Sequence, residues 1–321
     1  MKNSMEANIH LTRSNLAELS ISDINSGKIK LSYKQILSID EDTFKDLPNI
    51  HRLYLNGNQL TKINSSIFVH LLNLKRLDLS FVQLETIGAN TFQNLINLQE
   101  LNLSENELTS IDYLCFNGLS NLVKLDLSRN QLINLNDSLQ PLKNMEVLLL
   151  NKNRLTLIEN KTFKGITNLQ VLHLNHNELA LIDENSFFDL KCLNKLHLNN
   201  NQLNSLNVDC FYGLESLVHL DLSSNRFTSF DEKIFQHLIS LEYLYLADNE
   251  LTQIGSELFK PLTTLVYLGL QTNKINRFDK DALNELENLE FVYLFSNPIA
   301  IYTPYLLDDI TSNNNKCRVF F

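Results

Sequence analysis

The sequence predicts an α/β solenoid: short parallel β-strands stacked side by side into one sheet, with loops and short helical turns on the opposite side. Three observations carry this. LEYLYLADNELTQIGSELFKPLTT (241–264) repeats the pattern of LVHLDLSSNRFTSFDEKIFQHLIS (217–240), which repeats that of LNKLHLNNNQLNSLNVDCFYGLES (193–216), a period of 24 residues. Inside each unit Leu-x-Leu alternates with a period of two, which marks a short strand buried on one face. Two further columns stay in register, an Asn at the ninth position and a Phe at the nineteenth.

Repeats begin at residues 26, 50, 74, 98, 122, 145, 169, 193, 217, 241, 265 and 289, with a degenerate one near residue 6. Among complete units only the first (20 residues) and the one at 122 (23 residues) depart from 24. The boundaries this implies are a degenerate N-terminal repeat or cap over 1–25, about 12 repeats over 26–297, and a C-terminal cap or tail over 298–321. One repeat cannot enclose a core, but stacked repeats place Leu on Leu in a continuous column. The Asn column, Asn58, Asn106, Asn130, Asn153, Asn177, Asn201, Asn225, Asn249, Asn273 and Asn297, suits a tight turn after each strand. Its amide carries donors and an acceptor for the backbone groups such a turn leaves over. The Phe column, Phe44, Phe68, Phe92, Phe116, Phe163, Phe187, Phe211, Phe235 and Phe259, fills the wider side away from the strands. A ladder with strands on one side and looser segments on the other curves.

Departures from the pattern mark weak points. Val82 stands where Asn is expected and cannot hydrogen-bond, so a buried turn group goes unmet at roughly 1–3 kcal/mol if no water replaces it. Ser14 and Lys34 also replace Asn, and Ile24 replaces Phe, which makes the first two repeats a frayed cap. After Asn297-Pro298 the tail IYTPYLLDDITSNNNKCRVFF can fold over the last repeat, with Tyr302, Leu306, Leu307 and Ile310 as its apolar face and a turn at Asn313 to Asn315.

The motif LxxLxLxxNxLxxIxxxxFxxLxx, held over nearly the whole chain, resembles the leucine-rich repeat family. Its length and Phe column are most similar to the class found in Toll-like receptors, Slit-type proteins and small leucine-rich proteoglycans. The resemblance implies a horseshoe with a parallel sheet on its concave face. It also implies a non-catalytic protein-binding scaffold that uses this face, of extracellular receptor or immune type. A glycan- or matrix-binding structural protein and an intracellular adaptor or enzyme inhibitor are the alternatives. Thirteen strands about 4.8 Å apart give a surface on the order of 60 Å along the arc.

The third and fifth positions of each repeat flank the buried leucines and point to the open face. Read down these columns, the face has three zones. The first is basic, with Lys28, Lys30, Arg52 and Arg76 around Tyr54, and would attract an acidic segment or an acidic, sulphated glycan. The middle is apolar, with Val147, Leu149 and Val171. The last is aromatic, with Tyr243, Tyr245, Tyr267, Phe291 and Tyr293, joined by Phe295 at the seventh position. Exposed aromatic clusters of this kind typify protein-binding surfaces; the other reading is an internal cap formed by the C-terminal tail. His173, His197 and Asp221 fall in one column, with His176 and His219 nearby. That set fits a solvated polar surface, a pH-sensitive one, or a metal held by two imidazoles.

A net charge of −10 disfavours non-specific nucleic-acid binding. MKNSMEANIH has no apolar leader core, and no apolar run approaches the ~18 residues that span a bilayer. Family resemblance favours an extracellular or cell-surface location, and the sparse cysteines favour a cytoplasmic one. Cys115 and Cys210 share one repeat position at ~20 Å separation by strand spacing, too far to bridge. With Cys192 and Cys317 they read as small semi-buried thiols without metal-ligand spacing. Four Asn-x-Ser/Thr sequons, at Asn64, Asn102, Asn136 and Asn160, are no more than an asparagine-rich composition supplies. The eight glycines are too dispersed for a phosphate-binding loop, and no nucleotide, zinc-hydrolase or serine-hydrolase motif occurs. The sequence therefore predicts neither an enzyme nor a cofactor or metal.

Overall fold

A computed structural model of the chain describes residues 8–20, 26–301 and 317–321. The chain divides into two compact units, residues 1–154 and residues 155–321. In the first, β1 (Ile9–Leu11) pairs with β3 (Ile36–Ile39), and a single helical turn, α1, covers Leu16–Leu19. Six other strands, β2 (Lys28–Lys30), β4 (Arg52–Tyr54), β5 (Arg76–Asp78), β6 (Glu100–Asn102), β7 (Lys124–Asp126) and β8 (Val147–Leu149), form a parallel ladder in chain order. The second unit has a ladder of seven: β10 (Val171–His173), β12 (Lys195–His197), β13 (His219–Asp221), β14 (Tyr243–Tyr245), β16 (Tyr267–Gly269), β18 (Phe291–Tyr293) and β19 (Arg318–Phe320). Two short pairs, β9 (Leu157–Ile158) with β11 (Leu181–Ile182) and β15 (Gln253–Ile254) with β17 (Arg277–Phe278), lie outside that ladder.

The pairing register is the sequence period. Arg52 faces Arg76, and His197 faces Asp221, each 24 residues on. Where the repeat at 122 is one residue short, Lys124 faces Val147 and the register absorbs the deletion. From β2 to β18 the central residue of each ladder strand, a Leu except for Ile29 and Val292, is fully buried while its flanking residues other than Gly269 are half-buried or exposed, as a period of two requires. Tyr243 and Tyr245 accordingly sit on the open face, on either side of buried Leu244.

The Asn column performs the task its chemistry fits. Asn201 donates from Nδ2 to the carbonyls of Leu198 (2.9 Å) and Leu174 (3.0 Å), while its Oδ1 accepts the Leu179 N–H (3.0 Å). One side chain thus closes its own turn and ties it to the preceding repeat. The residue just before each Asn position adopts a left-handed backbone in all twelve repeats, from Tyr33 (φ 56°) to Ser296 (φ 59°). This geometry aims its N–H at the next repeat, as in Phe81 N–H to Ser104 O and His176 N–H to Asn199 O (both 3.0 Å). Only Gly57 occupies the position without a steric cost.

At Val82 the ladder breaks. Asn106 still accepts the N–H groups of Val82 (3.1 Å) and Leu84 (3.0 Å). Leu60 N–H, equivalent to Leu179 N–H, faces a valine that offers no acceptor. Behind the strands the Phe column stacks through the core of each unit, for example Phe92 on Phe116 (6.4 Å) and Phe163 on Phe187 (6.0 Å).

Both ends depart from expectation. The degenerate first repeat does not join the face ladder. Its strand β1 pairs with β3, which follows the first turn, so His10 is bonded to Asp40 (2.7 Å) away from the open face. Lys34 keeps its place through its backbone, donating its N–H to Asn58 Oδ1 (3.0 Å), and Ser14 lies in the exposed turn before α1. At the C-terminal end β19 adds a strand beside β18, with Arg318 facing Phe291. Ile24, the apolar set Tyr302, Leu306, Leu307 and Ile310, and the turn at Asn313 to Asn315 lie outside the described residues.

Candidate functional site

The open face of the second unit carries one continuous chain of rings. His173 contacts His197 (centroids 4.5 Å apart), His197 contacts His219 (4.9 Å), and His219 contacts Tyr245 (4.9 Å). The chain continues from Tyr245 to Tyr267 (4.7 Å), Tyr293 (5.2 Å) and Phe320 (4.6 Å, nearly coplanar). Tyr243 flanks it against His219 at 6.0 Å, and Phe295 meets Tyr293 edge-on at 6.3 Å. Every strand of this ladder contributes one ring to the chain, and strand spacing of about 4.8 Å sets the interval.

The path zigzags between columns. His219 and Tyr267 stand at the third position, Tyr245 and Tyr293 at the fifth. Gly269 makes the crossing possible. A Cβ there would lie 3.2 Å from the Tyr267 ring, so the missing side chain leaves room for Tyr267 to lean across its own strand. Sequence columns separated the imidazoles from the aromatics; the structure joins His173, His197 and His219 to the tyrosines. It leaves His176 out, on the exposed left-handed turn. Among the described residues Phe291 has no ring partner. The tail residues 317–321 lie beside the patch and lengthen it through Phe320.

Burial first, then the neighbouring imidazoles and Lys195, holds His197 and His219 below the ordinary imidazole pKa, with Asp221 partly opposing. Burial pushes the Tyr245 and Tyr267 hydroxyls up, helped at Tyr245 by the Asp221 carboxylate and at Tyr267 by the neighbouring Tyr245 and Tyr293. Because both imidazoles bind protons less readily folded than unfolded, their contribution to stability is complete above the ordinary imidazole range. It is lost as pH falls through their lowered values. Thermal unfolding of the chain from pH 8 to pH 5 is expected to show a falling midpoint, and His197→Gln with His219→Gln is expected to flatten that profile. An unchanged profile in the double variant would remove the imidazoles as its cause. Among the described residues no group of three or more His, Cys, Asp or Glu side chains converges to hold a metal.

In the first unit Lys28 (5.5 Å) and Arg76 (5.7 Å) both sit over the Tyr54 ring, and Arg76 also pairs with Glu100 at 3.0 Å. Lys30 is exposed on the outermost ladder strand, and Arg52 is exposed beside Arg76. Farther along, the carboxylates and amides of the fifth column bind their own turns: Asp78 accepts from Ser80 (2.7 Å), Asn102 from Ser104 (2.7 Å) and Asp126 from Ser128 (2.6 Å). Val147 and Leu149 are half-buried on β8 of the first unit, and Val171 is half-buried on β10 of the second. All four cysteines are free thiols; burial pushes Cys210 up to about 12 and Cys317 to about 11, which disfavours the thiolate at these two positions.

The leucine-rich repeat model matches residues 27–84, 72–132, 143–203, 191–251 and 239–299. The chain belongs to the leucine-rich repeat family. Comparison with curated proteins finds no match. Among solved structures it is similar to Drosophila Toll in complex with Spatzle, at 25% identity and a TM-score of 0.70, over 87% of this chain and 40% of that one. It is also similar to TLR13 in complex with ssRNA13 (22%, TM-score 0.64, 91% of this chain, 53% of that one). A third is the leucine-rich repeat domain of APL1B (23%, TM-score 0.71, 91% and 82%). The chain thus spans about half or less of Toll and TLR13. No helix among the described residues is long and apolar enough to cross a membrane.

Proposed function

We propose that the chain is a binding scaffold that holds a protein ligand against the ring chain of its second unit, in recognition of the receptor or immune type. The carrying observation is the unbroken succession His173, His197, His219, Tyr245, Tyr267, Tyr293 and Phe320, one ring per strand along the open face. Rigid rings with few rotatable bonds give large contact area at low entropic cost, and their polar tips orient a partner. Similarity to Toll, whose structure contains Spatzle, supports the receptor-like reading. The proposal assigns no catalysis to the chain.

Photo-crosslinking tests it. Benzoylphenylalanine at position 245 or 267 is expected to trap a defined protein from an extract of the producing cells. The same group at Leu181 or Ile239, which are exposed (54% and 55%) off this face, is expected to trap none of it. Equal capture from all four positions would end the assignment of the face.

A further inference from the structure

We infer that the first unit carries a separate site for a sulphated oligosaccharide, in a groove at the N-terminal ends of β2, β4, β5 and β6. The groove encloses about 350 Å³ and is lined by Lys28, Arg52, Lys75 and the Arg76–Glu100 pair, together with Ser26 and Gln99. It draws on residues one step before the strands as well as the outward column. That is why a reading of the columns alone placed the basic zone on the face and overlooked Lys75.

Charge gives the ligand its sign. Arg76 is paired with Glu100, whereas among the described residues Lys28, Arg52 and Lys75 form no ion pair. Three uncompensated cations therefore share one groove in a chain whose net charge is −10. Spacing gives the ligand its length. Lys28, Arg52 and Arg76 sit on successive ladder strands in register, a row on the order of 10 Å. A lone phosphate reaches only part of such a row, while a chain with repeated anionic groups meets all of it.

The lining gives the ligand its class. No apolar side chain borders the groove, so it has no seat for the apolar anchors of a peptide or lipid. The Tyr54 ring beside the groove already lies under two cations, which leaves the small His51 imidazole as the single ring in the lining and no pair of rings to clamp a nucleobase. Ser26, Gln99 and His51 add donors and acceptors suited to hydroxyl groups. Gly27 forms a bare backbone stretch of the wall: its φ is +73°, and a Cβ there would lie 2.8 Å from the Asn49 carbonyl oxygen. Guanidinium and ammonium groups bind sulfate as charge-assisted donors.

The test is calorimetric titration of the full chain with a heparin-derived octasaccharide, its desulphated counterpart and a single-stranded oligonucleotide. The sulphated probe is expected to bind, and the desulphated one at least tenfold more weakly. Arg52→Gln with Lys75→Gln is expected to weaken the sulphated probe at least tenfold and to reduce the salt dependence of log K by about two. Lys45→Gln with Lys62→Gln, which removes the same charge elsewhere on the unit, is expected to change little. Three outcomes would each overturn the inference: no binding at low salt, equal loss in both double variants, or an oligonucleotide that binds as tightly as the glycan through the same residues.

Discussion

Replacing Asn201 with alanine is expected to destabilise the second unit by about 3 kcal/mol. The side chain satisfies three buried backbone groups, the carbonyls of Leu174 and Leu198 and the N–H of Leu179, at 2.9–3.0 Å. Each such group left unpaired costs roughly 1–3 kcal/mol, and water recovers part of it at this nearly buried position. Because repeats contact chiefly their neighbours, the loss falls on one interface and is expected as a lower urea midpoint or as a separate early transition. The converse substitution lies in the natural sequence. Val82→Asn restores an acceptor for Leu60 N–H and is expected to raise stability by about 1 kcal/mol. If Asn201→Ala costs less than about 0.5 kcal/mol, or Val82→Asn destabilises, the account of the Asn column as a backbone clamp is wrong.

The alternation of Leu244 with Tyr243 and Tyr245, and the 24-residue slide from Lys195 to His219 to Tyr243, were legible in the sequence because periodicity reports face and register directly. Four features were not. The left-handed turn before each Asn position, occupied or not by Asn, occurs at residues as different as Phe81, Lys152 and Thr272, so no residue type announces it; tertiary hydrogen bonding imposes it. Ring contacts between the His and Tyr columns depend on lateral lean, which a column reading cannot contain. The only sequence signal was the glycine at 269 in a column of large residues. Finally, Phe320 lies 27 residues beyond Tyr293, off the period, and reaches its place only through the pairing of β19 with β18. Similarly, β1 carries a strand-like pattern but pairs behind the first turn, because alternation alone does not say which partner a strand finds.

Tyr245→Ala combined with Tyr267→Ala is expected to weaken binding of the trapped protein by about 100-fold, which corresponds to about 2.7 kcal/mol. These two rings are the middle links of the chain, and each touches a ring on either side. Removing them isolates the imidazoles from the Tyr293–Phe320 end and leaves two separate short patches. Both rings are only half-buried on the open face, so the change in stability is expected to stay under about 1 kcal/mol, and lost affinity is then not a folding defect. Gly269→Ala provides a subtler probe. It deletes no contacting group, yet its Cβ would sit 3.2 Å from the Tyr267 ring and turn that ring away from its place. About a tenfold loss is expected from geometry alone. His176→Ala, exposed on the turn outside the ring chain, is expected to leave affinity unchanged. If all three variants bind alike, the partner engages another surface. If the double variant weakens binding and Gly269→Ala does not, the rings act as separate anchors and their alignment has no role.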